Sequence, residues 1–85
     1  MFVERVGKLD TRSGSPLYLQ LQRLLRSAIE RHVLAPDEAL PPERDLAEAY
    51  NVSRVTVRKA LDGLVHARML TRRQGAGTFV AARVE

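Results

Sequence analysis

Ser53, Arg54, Thr56 and Arg58 fall within the stretch NVSRVTVRKAL, residues 51–61. An arginine carries a planar fork of donors that fits the O6 and N7 acceptors of guanine together, a contact worth about 1–3 kcal/mol of discrimination. Ser53 and Thr56 carry hydroxyls that donate to phosphate oxygens, Val55 offers methyl groups to a thymine methyl, and Arg58 suits a backbone phosphate one turn beyond Arg54. If residue 53 starts a helix, the free amides and the positive end of the helix dipole add to the attraction for phosphate. Together these groups can grip a polyanion and read the edges of its bases. A structural helix with an incidentally basic end is the competing reading of the same residues.

The flanking residues place this stretch at a helix start. Ser53 reads as an N-cap whose hydroxyl accepts from the amide of Val55 or Thr56. Val52 before it and Val57 one turn in have the spacing of a hydrophobic staple. Val57, Ala60, Leu61 and Leu64 recur at helical spacing and make the core stripe. Arg54, Val55 and Thr56 cannot join that stripe, and Arg58 and Lys59 extend the positive charge of the outer side. Upstream, Pro41-Pro42 opens a short helix from Glu43 to about Tyr50, with Glu43 and Asp45 in the dipole-favoured first turn and Leu46, Ala47 and Tyr50 inward. Asn51, which tolerates a left-handed backbone, leaves only a tight turn between the two helices. The pair has a helix-turn-helix pattern.

An earlier helix is expected from Ser15 as cap and Pro16 as first position, with Leu17, Leu21, Leu24, Leu25 and Ala28 on one face to about Arg31. His32 falls at its end, and Pro36-Asp37 marks a turn. Residues 1–14 are polar and irregular and read as a flexible lead-in, so the folded domain is placed at residues 15–82. After Arg68, MLTRRQGAGTFVA shows two β-prone runs around Gly75-Ala76-Gly77, a hairpin with Arg72 and Arg73 entering its tip and Phe79 and Val80 returning to the core. Arginines beside a glycine tip suit a thin arm on a nucleic-acid backbone or in a minor groove; taken alone, the tip is an ordinary turn. The expected fold class is mainly α with a small β-hairpin wing, a winged helix-turn-helix.

Composition narrows the function classes. The chain has 85 residues, enough for one small domain, and a net charge of +4. Up to Val52 acids and bases nearly balance, but from Ser53 onward Arg54, Arg58, Lys59, Arg68, Arg72, Arg73 and Arg83 face only Asp62 and Glu85. Such a lopsided segment is an electrostatic footprint for a polyanion, although charge by itself fits a solvated cationic face equally well. With no Cys, neither disulfides nor thiolate zinc sites are available. His32 and His66 are the two histidines and lie on different helices, one read as a helix end and the other as a surface residue, so no catalytic site, metal site or cofactor is expected. No secretory signal or membrane-length apolar run is present, and a cytoplasmic protein is expected.

Residues 40–80, LPPERDLAEAYNVSRVTVRKALDGLVHARMLTRRQGAGTFV, resemble the winged helix-turn-helix DNA-binding domain of the GntR family of bacterial transcription regulators. PLYLQLQRLLRSAI before them fits the same domain, and RRQGAGTFV looks most like the HutC-type branch. The resemblance implies that Arg44 and Arg54 contact bases, while Ser53, Thr56 and Arg58 bind phosphates. It further implies that Gln74 and Gly75 enter a minor groove, supported on the backbone by Arg72, Arg73 and Thr78. It implies a palindromic double-stranded operator bound by a homodimer, a repressor, and a small-molecule effector sensed through a C-terminal domain absent from this chain.

Several positions depart from the family pattern. Pro42 stands where a capping Ser is frequent, and His32, Asp37 and Arg68 stand where turn glycines are frequent. The chain stops at Glu85, just past the wing, and is expected to be an excised domain rather than a naturally short relative. The alternative function is a winged-helix module that binds protein and not specific DNA. DNA binding should weaken steeply with salt, and a hydrophobic protein interface should not.

Overall fold

The computed structural model describes residues 1–82, so Arg83 and Glu85 of the charge count lie outside the described residues. Four helices, α1 (Phe2–Val6), α2 (Leu17–Glu30), α3 (Glu43–Tyr50) and α4 (Arg54–His66), precede an antiparallel hairpin of β1 (Leu70–Arg73) and β2 (Gly77–Val80). The hairpin register pairs Leu70 with Val80, Thr71 with Phe79, Arg72 with Thr78 and Arg73 with Gly77. Ala39 adds a bridge to Phe79, and the Leu40 amide donates to the Thr78 carbonyl at 2.8 Å. The segment before α3 therefore lies along β2 and fixes the wing beside the helix-turn-helix, a pairing that its sequence did not signal.

The core is the shared face of α2 and α4. Leu21, Leu25, Ala28 and Ile29 from α2 meet Val57, Ala60, Leu61 and Leu64 from α4, with Leu46 and Tyr50 of α3 closing one side and Leu70 and Val80 of the hairpin another. Burying each large aliphatic side chain stabilises by about 1.5–3 kcal/mol, which is what holds an amphipathic 14-residue helix against its neighbours. Leu17 and Leu24, expected inside, are half-buried at the edge of this face, and Ile29 is buried in addition. Gly63 marks the closest approach: a Cβ there would lie 1.8 Å from the Nε2 of Gln22, whose amide donates across to the Ala60 carbonyl at 3.2 Å.

Three helices end by the same device. The amides of Val33, Val52 and Met69 each donate back to the carbonyls of Ala28, Ala47 and Leu64, at 2.8, 3.0 and 2.9 Å. The amides of His32, Asn51 and Arg68 reach Ile29, Glu48 and Val65. This double closure satisfies the last free carbonyls and requires a left-handed residue. His32, Asn51 and Arg68 adopt it with φ of 60, 54 and 64°, and Asp37 has φ 66° in the turn before Leu40. The non-glycine residues noted at the family's glycine positions thus keep the left-handed backbone and bear its cost of about 1–2 kcal/mol per residue.

Two expectations about the N-terminal part need correction. Pro16, with φ −55° and ψ 142°, is itself the N-cap of α2, and no side chain caps that helix; Ser15 lies outside it. Residues 2–6, read as irregular, form α1 with Val6 buried. A helix this short carries no periodic signal and is held by tertiary contacts. The Tyr50 hydroxyl donates to the Gly7 carbonyl at 2.9 Å, and burial pushes the Tyr50 phenol up to about 12. Arg5 donates to both carboxylate oxygens of Glu38, at 2.7 and 3.2 Å, and to the Val33 carbonyl. Those bonds, with one from the Ala35 amide, hold the Glu38 carboxyl below the usual carboxylate range.

Candidate nucleic-acid interface

Ser53 caps α4 as its position demanded. Its hydroxyl oxygen accepts from the Thr56 amide at 3.0 Å and its hydroxyl hydrogen goes to the Thr56 Oγ1 at 2.9 Å. The cap therefore consumes the Ser53 donor inside the helix start and leaves the Thr56 hydroxyl hydrogen for an outside acceptor. Val57 is fully buried and Val52 packs on the core, consistent with the staple. With Val57 and Leu61 turned inward, Arg54 and Val55 face solvent; Val55 is 70% exposed.

A groove of about 700 Å³ runs between these helix starts and the wing. Arg44 from α3, Arg54 from α4, and Arg72, Arg73, Gln74, Gly75 and Thr78 from the hairpin all line it. Seven of the ten sequence-nominated residues thus share one concavity, supplied by four separate elements. Ser53, Thr56 and Arg58 lie outside its lining. Arg54 and Arg73, far apart in the chain, are brought to the same side. Lys59 leaves this side: its ammonium sits 4.1 Å over the Tyr18 ring of α2, so it does not extend the charge of Arg58 as expected.

The wing tip is a turn in which the Ala76 amide donates to the Arg73 carbonyl at 3.0 Å and Gly75 has φ 77°. Glycine takes this backbone without strain. A Cβ on Gly75 would meet no atom within 4 Å, so the tip is open for approach. Phe79 is half-buried and not a full core residue: Arg73 Cζ lies 4.2 Å from its ring centroid, covering its outer face.

The cations divide into two classes. Arg54 has no side-chain partner among the described residues, and Arg44 has only Asp45, at 3.9 Å with both groups well exposed. The others are tethered. Arg58 bonds Glu43 through Nε at 3.3 Å and Nη2 at 3.2 Å. Arg72 reaches Glu43 at 3.6 Å and also pairs with Asp62. Arg73 pairs with Asp37 at 3.0 Å. Sequence reasoning missed these three acids as partners. Glu43 had been assigned to the helix dipole and Asp37 to turn geometry, and only the folded chain brings them to the arginines. His32 and His66 are both exposed, at the ends of α2 and α4.

The comparisons agree with this architecture. Residues 17–80 match the family described as bacterial regulatory proteins, gntR family. The chain is similar to the uncharacterized HTH-type transcriptional regulator YurK of Bacillus subtilis (strain 168), 47% identical over 72 residues, covering 85% of this chain and 30% of YurK. It is likewise similar to the HTH-type transcriptional repressor NagR of the same organism, 42% identical over 73 residues, covering 86% of the chain and 30% of NagR. The chain thus spans about 30% of the length of these curated relatives. Among solved structures, the crystal structure of AraR(DBD) in complex with operator ORX1 superimposes with a TM-score of 0.76 at 39% identity, covering 88% of this chain and 89% of that one. Family match, sequence relatives and superposition coincide on the helix-turn-helix and its wing, and the chain belongs to the gntR family of bacterial regulatory proteins, whose winged helix-turn-helix fold it adopts.

Proposed function

We propose that the chain binds double-stranded DNA in a sequence-specific manner, as the DNA-reading part of a bacterial transcription regulator. The observation that carries this reading is the groove that gathers Arg44, Arg54, Gln74 and Gly75 with the wing arginines. Its two walls match two parts of a duplex: the start of α4 suits the major groove, and a glycine-tipped arm suits the adjacent minor groove. The AraR domain crystallised on its operator, 39% identical, supports the same mode of use.

In this reading Arg54 and Arg44 contact base edges, and Gln74 and Gly75 enter the minor groove. Arg58, Arg72, Arg73, Thr56 and Thr78 contact phosphates, with Ser53 acting through the cap and the helix-start amides. The regulator is a repressor in the manner of NagR, works in the cytoplasm, and binds a palindromic operator as a homodimer. A small-molecule effector acts through a C-terminal domain of the HutC type, a branch supported by the RRQGAGTFV wing. No helix among the described residues is long and apolar enough to cross a membrane. The family is one of regulators, and no enzymatic role is assigned.

Selection of bound duplexes from a random library at two salt concentrations tests the proposal. A palindromic motif should be enriched, with total retention falling steeply as salt rises because phosphate contacts release counterions. Retention of unselected sequence, or binding insensitive to salt, would contradict it.

A further inference from the structure

Glu43 is the one acid in the groove lining among the described residues, and its side chain is 22% exposed, against 58% for Asp37 and 55% for Asp62, which pair with wing arginines from outside that lining. It lines the groove where phosphate is expected, and it holds two of the arginines expected to meet that phosphate. One carboxylate oxygen takes both Nε and Nη2 of Arg58 from α4, and the other takes Arg72 from β1. Arg72 in turn pairs with Asp62, which returns the network to α4. A partly exposed ion pair contributes little to stability. An acid beside a phosphate-binding surface repels the ligand. A device that weakens binding and adds little stability needs another role, and discrimination between partners is one that repulsion serves.

Resting on the DNA-binding reading above, we infer that Glu43 is a positioning residue that sets the ratio of specific to non-specific DNA binding. A duplex held loosely through its phosphates alone must displace the carboxylate from Arg58 and Arg72. On the operator, the base contacts of Arg54 fix a docking in which the two arginines reach phosphate without giving up Glu43. The carboxylate also ties α3, α4 and β1 together, so the helix start and the wing meet the duplex at one fixed separation. Both effects suppress loose electrostatic binding more than operator binding.

The test measures affinity for a selected operator duplex and for a duplex of scrambled sequence across a salt series, in the wild type, Glu43→Gln and Glu48→Gln. Glu48 lies exposed on α3 and pairs with none of these arginines among the described residues, so its variant reports the generic effect of removing one negative charge. Glu43→Gln should raise scrambled-duplex affinity about fivefold and steepen its log–log salt slope by ~1–2, as two freed cations each gain a phosphate. Operator affinity should change less, so the specificity ratio falls, while Glu48→Gln leaves both nearly unchanged. In an Arg58→Ala background the Glu43→Gln effect should shrink. Equal behaviour of the two Gln variants would overturn the inference, as would a changed base preference at a single position, which would make Glu43 a base reader. Should Glu43→Gln fail to fold, the wild-type Arg58 side-chain NMR signal decides. A resonance shifted by scrambled duplex supports release from Glu43, and one unmoved by it contradicts release. Wild-type protein without salt-dependent duplex binding would instead refute the underlying function.

Discussion

The start of α4 and the wing face the same groove but are prepared for it in different ways. At the helix start, Arg54 projects without a side-chain partner among the described residues and Val55 is exposed, while the backbone beneath them is fixed by the Ser53 cap and buried Val57. In the wing, the backbone is a two-stranded ribbon with an open glycine tip, and its arginines are anchored by Asp37, Asp62, Glu43 and the Phe79 ring. A helix supplies its own rigidity, so its side chains can be left free to choose among bases. A lone hairpin is marginal in water and gains order from side-chain ties to the body of the domain. Freedom of the side chain suits reading; tethering suits a contact made to every sequence alike.

The sharpest way to break this contrast is to remove one arginine from each class. Arg54→Ala should cost about 1–3 kcal/mol at one base position of each half-site and leave thermal stability unchanged, because the exposed side chain makes no hydrogen bond or ion pair among the described residues. Arg58→Ala should instead weaken all duplexes alike and flatten the salt slope by about 1. Affinity profiles over an operator library separate the two, and matching profiles would erase the distinction between reader and clamp.

Ser53→Ala tests whether the helix start needs its cap. Loss of the bond to the Thr56 amide should cost about 1 kcal/mol in denaturant melts, and binding should drop as the first turn frays. In the wing, Arg73→Ala removes the Asp37 pair and the Phe79 stack together. It should lower stability by ~0.5–1 kcal/mol while also weakening duplex binding, a double effect that Arg54→Ala must not show. Between the two regions, Arg68 ends α4 and leads into β1 with φ 64°. Arg68→Gly relieves the left-handed strain and should raise stability by about 0.5–1 kcal/mol, offset in part by the freedom glycine gains when unfolded.

The smallest effect is a pH dependence in the scaffold behind both regions. The Tyr50 phenol, near 10 when unfolded, is raised to about 12 in the fold. A raised value favours the folded state fully below the unfolded one, and that contribution is lost as pH rises through the folded one. Denaturant melts should therefore show stability declining above about pH 10, and Tyr50→Phe should flatten that decline.

Sequence reading reached furthest where local chemistry decides structure. Helices α3 and α4, the Ser53 cap, the left-handed Asn51 and the glycine turn follow from side-chain chemistry within a few residues, and each stands where it was placed. The four core positions of α4 follow from a periodicity that thirteen residues make plain. What escaped notice depends on distant partners. Helix α1 exists because Tyr50 and Glu38 hold it, the segment at Ala39 pairs with β2 only once the wing folds back, and Lys59 turns to Tyr18 because α2 packs there. In the groove, residue types named the cations, but whether each was free or bound depended on acids distant in the chain, such as Glu43 and Asp37.

The most direct measurement is an NMR titration of the labelled chain with a selected operator duplex. The amides of Arg54 and Gly75 should shift together and saturate at one duplex concentration, while those around Glu30 and His32, away from the groove, stay in place. Shifts confined to one of the two regions, or centred on the far end of α2, would contradict a single duplex-binding surface made of helix start and wing.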